Sequence, residues 1–263
     1  MYLTIDPTLQ KYIDHGDETF AHIMALKGHV YRALEGRCTQ RIELGGQGYF
    51  LKQHHGVGWK EIVKNILQLR LPIVGAKNEW LALQRLQQLD IPTMQVMAYG
   101  EKGFNPARRE SFLLTKELTN VISLEDLSRD WLVSPPKPMF KRALIKEVAR
   151  MVRVIHANGL NHRDCYICHF LWDTTSSANM PRIYLIDLHR AQLRTETPER
   201  WVIKDLAGLY FSSKDIGLTS RDLWRFIREY RLQTLGDTLT KERTFWKKVK
   251  QRGDKTYQKH GQQ

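Results

Sequence analysis

The chain is poor in cysteine, in long apolar runs and in acidic residues, and each shortage excludes a class of protein. Its only cysteines are Cys38, Cys165 and Cys168, which argues against a disulfide-stapled scaffold and favours a reducing compartment. No apolar run approaches the ~20 residues that a membrane-spanning helix needs. Residues 1–18 lack a basic segment followed by an apolar core, so no secretory signal is visible. We therefore expect a cytoplasmic protein.

Acidic residues are outnumbered by basic ones. The 263 residues include 28 Asp and Glu against 41 Lys and Arg, which gives a formal net charge of +13. Such a surface attracts anions, among them nucleic acid, anionic lipid, phosphorylated sugars and acidic proteins. The charge alone does not choose among these partners. With 42% hydrophobic and 26% charged residues, the composition is that of a globular protein large enough for two lobes around a cleft.

One segment, Asn161 to His169, supports two incompatible interpretations. His162-Arg163-Asp164 begins a catalytic loop of the protein-kinase type, in which the aspartate orients and deprotonates an attacking hydroxyl. Cys165-Tyr166-Ile167-Cys168-His169 matches a c-type haem attachment motif letter for letter. Covalent haem attachment needs an exported protein, so the absence of a visible signal argues against haem.

A zinc site is a third interpretation of the same segment. Cys165 and Cys168, together with His162 and His169, have a spacing that permits zinc. Both cysteines, however, occupy positions that a catalytic loop already dictates. We therefore interpret them as packing residues of the loop, with a redox-sensitive pair as an open alternative.

The region before this segment predicts a nucleotide-binding lobe. Adjacent glycines and short apolar stretches predict a β-meander with strands over 30–34, 40–44 and 49–52. The third strand ends on Lys52. The connection over 35–39 contains Gly36 and is the candidate for a loop over nucleotide phosphates, although its signal is weak.

Later elements supply the remaining parts of such a lobe. A basic amphipathic segment from Trp59 to Leu71 predicts a surface helix, with contact to a membrane interface as the alternative. A helix over 76–89 carries Glu79, and strands over 96–99 and 111–115 precede Lys116-Glu117-Leu118. The backbone of Glu117 and Leu118 would form a hinge that reads adenine.

Phosphoryl transfer from ATP gives each of these residues a role. Lys52 would neutralise the α- and β-phosphates, and Glu79 would hold Lys52 as an ion pair. Asp164 would accept the proton of the acceptor hydroxyl, with Arg163 supporting the loop. Asp187 ends an apolar strand and would chelate Mg²⁺. A strand hairpin between the two aspartates would bring both carboxylates into one cleft.

These features together resemble the lipopolysaccharide core heptose(I) kinase family of Gram-negative bacteria. The resemblance extends from about Val30 to Tyr230 and is most specific in three blocks: Asn161 to Phe170, Leu185 to Gln192, and Arg200-Trp201 with Lys204-Asp205-Leu206. It implies a protein-kinase-like fold of the α+β class. An N-lobe over 1–118, with an antiparallel sheet and a helix, would end in the hinge. A mostly helical C-lobe over 119–263 would end in a basic tail.

The resemblance also implies an activity. It is ATP-dependent, Mg²⁺-assisted phosphorylation of the first heptose of the lipopolysaccharide inner core, at the cytoplasmic face of the inner membrane. The protein would be cytoplasmic and peripheral on that membrane, an acidic carrier protein is a further candidate partner, and no nucleic acid is expected. A kinase with another small-molecule or protein acceptor, or a non-catalytic basic binding module, are the alternatives.

Further residues take their roles from the resemblance. Asp205 matches the helix aspartate that braces the catalytic loop, and His169 takes the place of the asparagine that binds a second metal ion. The candidates for acceptor binding are four basic residues that follow the metal-binding aspartate, because arginine matches carboxylate and phosphate with two parallel hydrogen bonds: His189, Arg190, Arg194 and Arg200.

Overall fold

The computed structural model describes residues 1–34, 36–56, 58–59, 63, 67 and 75–260. It divides the chain into two compact units. The first unit contains Met1–Arg85 and Met94–Thr119, and the second contains Leu86–Thr93 and Asn120–Gln263. Within the described residues, no helix has the length and apolar character needed to span a membrane. The helix predicted over 59–71 lies outside the described residues except at positions 59, 63 and 67.

A six-stranded antiparallel sheet forms the first unit. Its spatial order is β1-β5-β6-β4-β3-β2, so the predicted meander β2-β3-β4 occupies one side. The strands are β1 (Tyr2–Ile5), β2 (His29–Leu34), β3 (Arg37–Leu44), β4 (Gln47–His55), β5 (Val96–Lys102) and β6 (Glu110–Lys116). The five strands that the sequence predicts in this unit are confirmed. Each is longer in the structure than the sequence pattern indicates.

The connection between β2 and β3 is shorter than predicted. Leu34 pairs directly with Arg37, so residues 37–39 belong to a strand and the expected loop over 35–39 is wrong. Gly36 lies at the turn with a φ of 72°, a conformation that glycine adopts without strain. The strands replace the predicted loop because their backbone hydrogen bonds can extend almost to the turn residues.

In the part of the first unit that the structure describes, three helices accompany the sheet: α1 (Pro7–Ile13), α2 (Thr19–Ala25) and α3 (Lys77–Gln88). The side chain of Asp6 caps α1 by accepting from the backbone N–H of Thr8. Buried residues of α1 and α2 pack with the sheet residues Leu51 and Phe112 in one core cluster. Burial of such side chains stabilises the fold by about 1.5–3 kcal/mol each.

The second unit is mostly helical, and with the first unit it confirms the α+β class. Its helices are α4 (Leu124–Ser128), α5 (Pro138–Ala157), α6 (Glu199–Ser212), α7 (Ser220–Arg231), α8 (Leu235–Lys241) and α9 (Arg243–His260). Its short strands are β7 (Val121–Ser123), β8 (Leu160–Asn161), β9 (Phe170–Asp173), β10 (Ile183–Leu185) and β11 (Gln192–Leu193). β9 and β10 form the hairpin that the sequence predicts between the two aspartates.

The basic segment from Leu232 onward forms α8 and α9. α9 packs against α6 through Val249 and Gly253, which are both buried. A side chain at Gly253 would approach the ring of Tyr210 to 2.5 Å, so glycine permits the close contact of the two helices. The many lysines and arginines of α9 remain on its exposed face and mask this short apolar stripe in the sequence.

Candidate functional site

The predicted catalytic loop follows α5 and is constrained at its start. Gly159 has a φ of 75°, and a side chain there would come within 1.8 Å of the carbonyl oxygen of Arg194, so only glycine fits. β8 then pairs with β11 in an antiparallel sheet. The loop that carries Asp164 is therefore fixed beside the chain that follows Asp187.

The carboxylate of Asp205 holds the loop from α6. Asp205 is fully buried and accepts the backbone N–H of His162 at 2.6 Å and that of Arg163 at 2.8 Å. The ring of His156 lies 3.3 Å from the same carboxylate. These hydrogen bonds are the contacts expected of a brace behind a catalytic loop.

The backbone N–H and the backbone carbonyl of Arg163 are both hydrogen-bonded. Its φ of 73° is unusual for a residue other than glycine and costs about 1–3 kcal/mol. Asp205 accepts its N–H, and the neighbouring Lys204 donates from Nζ to its carbonyl oxygen. Two consecutive side chains of α6 thus stabilise the strained residue that precedes Asp164.

Asp164 lies among cations. Nη1 of Arg190 donates to both carboxylate oxygens, at 3.0 and 3.1 Å, and Nζ of Lys204 lies 3.8 Å from Oδ1. The pKa of Lys204 is lowered, mainly because its ammonium group is partly buried. The expected acceptor-binding residue Arg190 is therefore bonded to the candidate catalytic aspartate in this structure.

Asp187 and His169 form the candidate metal site, and His189 contacts the same aspartate. The left-handed backbone of Asp187, with a φ of 61°, turns the chain at the end of β10. Its Oδ1 lies 2.5 Å from Nδ1 of His189, and its Oδ2 lies 3.4 Å from Nε2 of His169. Nδ1 of His169 contacts the carbonyl oxygen of Asp164 at 2.7 Å. Because a carbonyl only accepts, this nitrogen carries the proton and Nε2 presents a lone pair in the neutral ring.

The neighbouring His162 supports this arrangement as a buried, neutral ring. It stacks on His169 with ring centres 5.5 Å apart and donates from Nε2 to the carbonyl oxygen of Ile186. Burial lowers its pKa. The rings and backbone around Asp187 thus place one carboxylate and one imidazole lone pair together, a donor pair that fits a divalent cation with phosphate or water as further ligands.

The two cysteines of the loop are packing residues in this structure. Burial raises the pKa of the Cys165 thiol well above its usual range and that of Cys168 to about 11. In the described part of the chain, no group of three or more His, Cys, Asp or Glu side chains has an arrangement that could hold a metal ion. The zinc interpretation therefore finds no support there.

In the first unit, the predicted ion pair is formed. Nζ of Lys52, on β4, lies 2.5 Å from Oε1 of Glu79, on α3, and the Glu79 side chain is only 3% exposed. A buried carboxylate of this kind holds the lysine in one position. The pair therefore has the geometry that a phosphate-neutralising lysine requires.

The predicted hinge follows β6. The side chain of Glu117 accepts from Nε and Nη2 of Arg41 at 2.8–3.0 Å, and its backbone N–H donates to Gly48 at 3.0 Å. Leu118 is partly buried. Because the side chain and the backbone N–H of Glu117 are both occupied, only its backbone carbonyl could contact a nucleotide.

Comparison with known proteins shows which family the chain belongs to. A sequence model of the lipopolysaccharide kinase (Kdo/WaaP) family matches residues 21–230. The chain belongs to this family. It is 49% identical over 251 residues to the lipopolysaccharide core heptose(I) kinase WaaP of Pseudomonas aeruginosa, covering 95% of this chain and 94% of that protein. It is 53% identical over 217 residues to WaaP of Escherichia coli K12, covering 82% of each.

A solved structure, described as WaaP in complex with acyl carrier protein, has the same fold. It matches with a TM-score of 0.85 and 44% sequence identity, over 98% of this chain and 100% of that one. The predicted family and its protein-kinase-like fold are therefore confirmed. Members of the Kdo/WaaP family are kinases, so the expectation of an ATP-using phosphotransferase is also confirmed.

Two residues that sequence reasoning missed lie at the centre of the site. Lys204 and Trp201 fall in blocks that carry the family resemblance, but neither receives a role from the sequence. Lys204 contacts the loop backbone, and Trp201 contacts several cations. Lys204 directly precedes Asp205, and Trp201 lies about one helical turn before it on the same helix. This placement beside the predicted brace is the signal that could have found them.

Proposed function

We propose that this chain transfers the γ-phosphoryl group of ATP to a hydroxyl of the first heptose of the lipopolysaccharide inner core. The relatives named heptose(I) kinase support this acceptor, at 49% and 53% identity over most of the chain. The observation that carries the proposal is the link through His169, whose ring contacts the backbone of Asp164 and the carboxylate of Asp187. This link brings a base and a metal-binding carboxylate into one site.

In the proposed reaction, Asp164 orients the acceptor hydroxyl and takes its proton. Arg190 bonds to both oxygens of that carboxylate, so it must release at least one of them when the acceptor enters. Arg163 and Asp205 keep the carboxylate in position through the loop backbone. This gives Asp164 and Arg163 the catalytic and supporting roles, with Asp205 as the brace.

Several residues would contact ATP. Lys52 would contact the α- and β-phosphates and Glu79 would fix it, while Gly36 would lie at a turn near the phosphates. Backbone groups of Glu117 and Leu118 would read the adenine. Asp187 and His169 would hold Mg²⁺, which when bound offsets the charge that develops on the phosphates.

The proposal also assigns the two substrates. The N-lobe over 1–118 would bind the nucleotide and the C-lobe over 119–263 would bind the acceptor. The acceptor-binding residues would be His189, Arg190, Arg194 and Arg200. The protein would act in the cytoplasm, peripheral on the inner membrane. The excess of basic residues supports contact with an anionic surface.

We also propose an acyl carrier protein as a partner, since the solved relative is described in complex with one. A cavity of about 360 Å³ in the second unit supports this partner, because it is lined mainly by apolar side chains of α5, α6, α7 and α9, including Leu144, Leu206 and Ile227. An acyl chain is a suitable occupant for such a cavity. The net charge of +13 suits an acidic protein.

Transfer of labelled phosphate from ATP to purified deep-core lipopolysaccharide tests the proposed function. Asp164→Asn should lower kcat by about 10³-fold, in the range typical for loss of a general base. Asp173→Asn is the matched control, because in the described structure the side chain of Asp173 accepts only from Thr175, and this change should leave kcat unchanged. Equal activity of wild type and Asp164→Asn would support the non-catalytic module, and labelling of another acceptor alone would support the alternative kinase.

A further inference from the structure

Four cations surround the indole ring of Trp201 in the second unit. Each guanidinium carbon or ammonium nitrogen lies within 6 Å of the ring centre, a distance typical of cation–π contacts. The distances are 4.9 Å for Arg163, 5.4 Å for Arg200, 5.8 Å for Lys204 and 5.9 Å for Arg194. The aromatic ring thus gathers positive charge at one place.

Few carboxylates balance this charge. Arg194 donates to the neutral amide oxygens of Asn161 and Gln192, at 2.6 and 2.5 Å. Arg200 makes no ion pair with any residue that the structure describes. Lys204 has Asp164 nearby at 3.8 Å, but Arg190 already bonds to that carboxylate. The cluster therefore keeps an excess of cations.

The cations disfavour one another. Burial and, after it, the charge of Arg190 lower the pKa of Arg163, and burial and the charge of Arg200 lower the pKa of Arg194. Repulsion among partly buried cations costs folding free energy. Groups with perturbed pKa values concentrate at functional sites, and a bound anion would relieve this repulsion.

Several buried donors at the same place lack a partner. Nε of Arg163, Nε1 of Trp201 and Nδ2 of Asn161 are buried and make no hydrogen bond within the described structure. Asn161 is fully buried. Since buried donors are rarely left unpaired, three of them beside four cations indicate a ligand with acceptor oxygens.

We infer that Trp201 and its four cations form an oxyanion subsite, which binds a carboxylate or a phosphate of the acceptor. This inference rests on the proposed function. The subsite adjoins the base, because Arg163 directly precedes Asp164 and Lys204 reaches both residues. An acidic group held here fixes the acceptor near Asp164, so the subsite selects acidic sugars over neutral ones.

Arg200→Gln tests the subsite, because Arg200 is exposed and removal of its charge should leave the fold intact. Its KM for native deep-core lipopolysaccharide should rise by about tenfold, as for loss of one charge-assisted contact, with the KM for ATP unchanged. The matched control is Arg182→Gln, an exposed arginine that lies 5.1 Å from the Tyr184 ring. Equal KM values for the two variants, or an equal rise in the KM for ATP, would overturn the inference.

Two chemically treated acceptors distinguish the source of the oxyanion. If a carboxylate binds, an acceptor with its carboxyl groups reduced to alcohols should have a raised KM with wild type and no further rise with Arg200→Gln. If a phosphate binds, a dephosphorylated acceptor should behave in this way instead. Additive losses with both acceptors would contradict the subsite.

A measurement without turnover separates this inference from the proposed function. Inorganic phosphate, without ATP, should raise the Tm of the wild type and of Arg182→Gln more than that of Arg200→Gln. An equal rise in all three proteins would overturn the subsite, even if the kinase reaction is observed. If no acceptor is phosphorylated but the Tm difference is present, the proposed function fails and the oxyanion subsite stands.

Discussion

The two units treat their functional charges in opposite ways. In the first unit, Lys52 is matched by Glu79 at 2.5 Å, with the carboxylate almost fully buried. In the second unit, Asp164 faces Arg190 and Lys204 while further cations gather around Trp201. One cation with one carboxylate fixes a lysine in a single position. An excess of cations instead leaves binding capacity for an anion.

Under the proposed function, this difference in charge would suit the two units to different substrates. A fixed lysine suits ATP, whose phosphates are the same for every kinase. An open cationic cluster suits an acceptor whose acidic groups must be recognised before the hydroxyl reaches the base.

Removal of the loop brace should have the largest effect. Asp205→Ala leaves the backbone N–H groups of His162 and Arg163 buried without an acceptor, so the free energy of unfolding should fall by about 3 kcal/mol. Urea denaturation followed by intrinsic fluorescence measures this loss. The control Asp173→Asn, which changes a side chain that accepts from Thr175, should lose much less stability than Asp205→Ala. An Asp205→Ala protein as stable as the wild type would show that the loop does not depend on this carboxylate.

Breaking the ion pair of the first unit should affect ATP alone. Lys52→Met removes the proposed phosphate contact, and kcat/KM for ATP should fall by about 10²-fold, equal to about 2.7 kcal/mol of transition-state stabilisation. The KM for the acceptor should stay unchanged. Steady-state kinetics with each substrate varied in turn gives both values. A rise in the acceptor KM after Lys52→Met would contradict the idea that the first unit contacts only ATP.

A smaller effect is expected at a thiol of the catalytic loop. Burial raises the pKa of Cys168 from 9.0 to about 11, so its thiolate fraction at pH 8 is lower than for an ordinary thiol by about 100-fold. Alkylation of Cys168 by iodoacetamide should be slower by a similar factor than in the same protein unfolded in urea. Peptide mass analysis over time measures both rates, and equal rates would contradict the packing role of this cysteine.

The sequence predicts the parts of the fold whose apolar pattern is long. α5 has such a pattern, with its buried apolar residues at helical spacing, and the hairpins around Lys52 follow from their turn residues. β1, α1 and α2 escape prediction, because elements of four to seven residues are too short to show a period. In α9 the short buried stripe lies among lysines and arginines, so the sequence shows the basic character of this segment more clearly than its packing.

For the candidate site, residue types and order are readable from sequence, while the contacts between side chains are not. The pairing of Lys52 with Glu79 and the bond of Asp205 to the loop agree with the family resemblance. The bond of Arg190 to Asp164 depends on the turn at Asp187, whose left-handed backbone no local pattern predicts. The cation cluster at Trp201 likewise needs α6 to lie beside the loop.

Mass analysis of lipopolysaccharide from cells tests the central claim most directly. Cells whose only copy of this kinase carries Asp164→Asn are compared with cells that carry the wild type or Asp173→Asn. We predict that the Asp164→Asn cells lose a single phosphate from the inner-core heptose, whereas the other two retain it. An unchanged inner core in the Asp164→Asn cells would contradict the account.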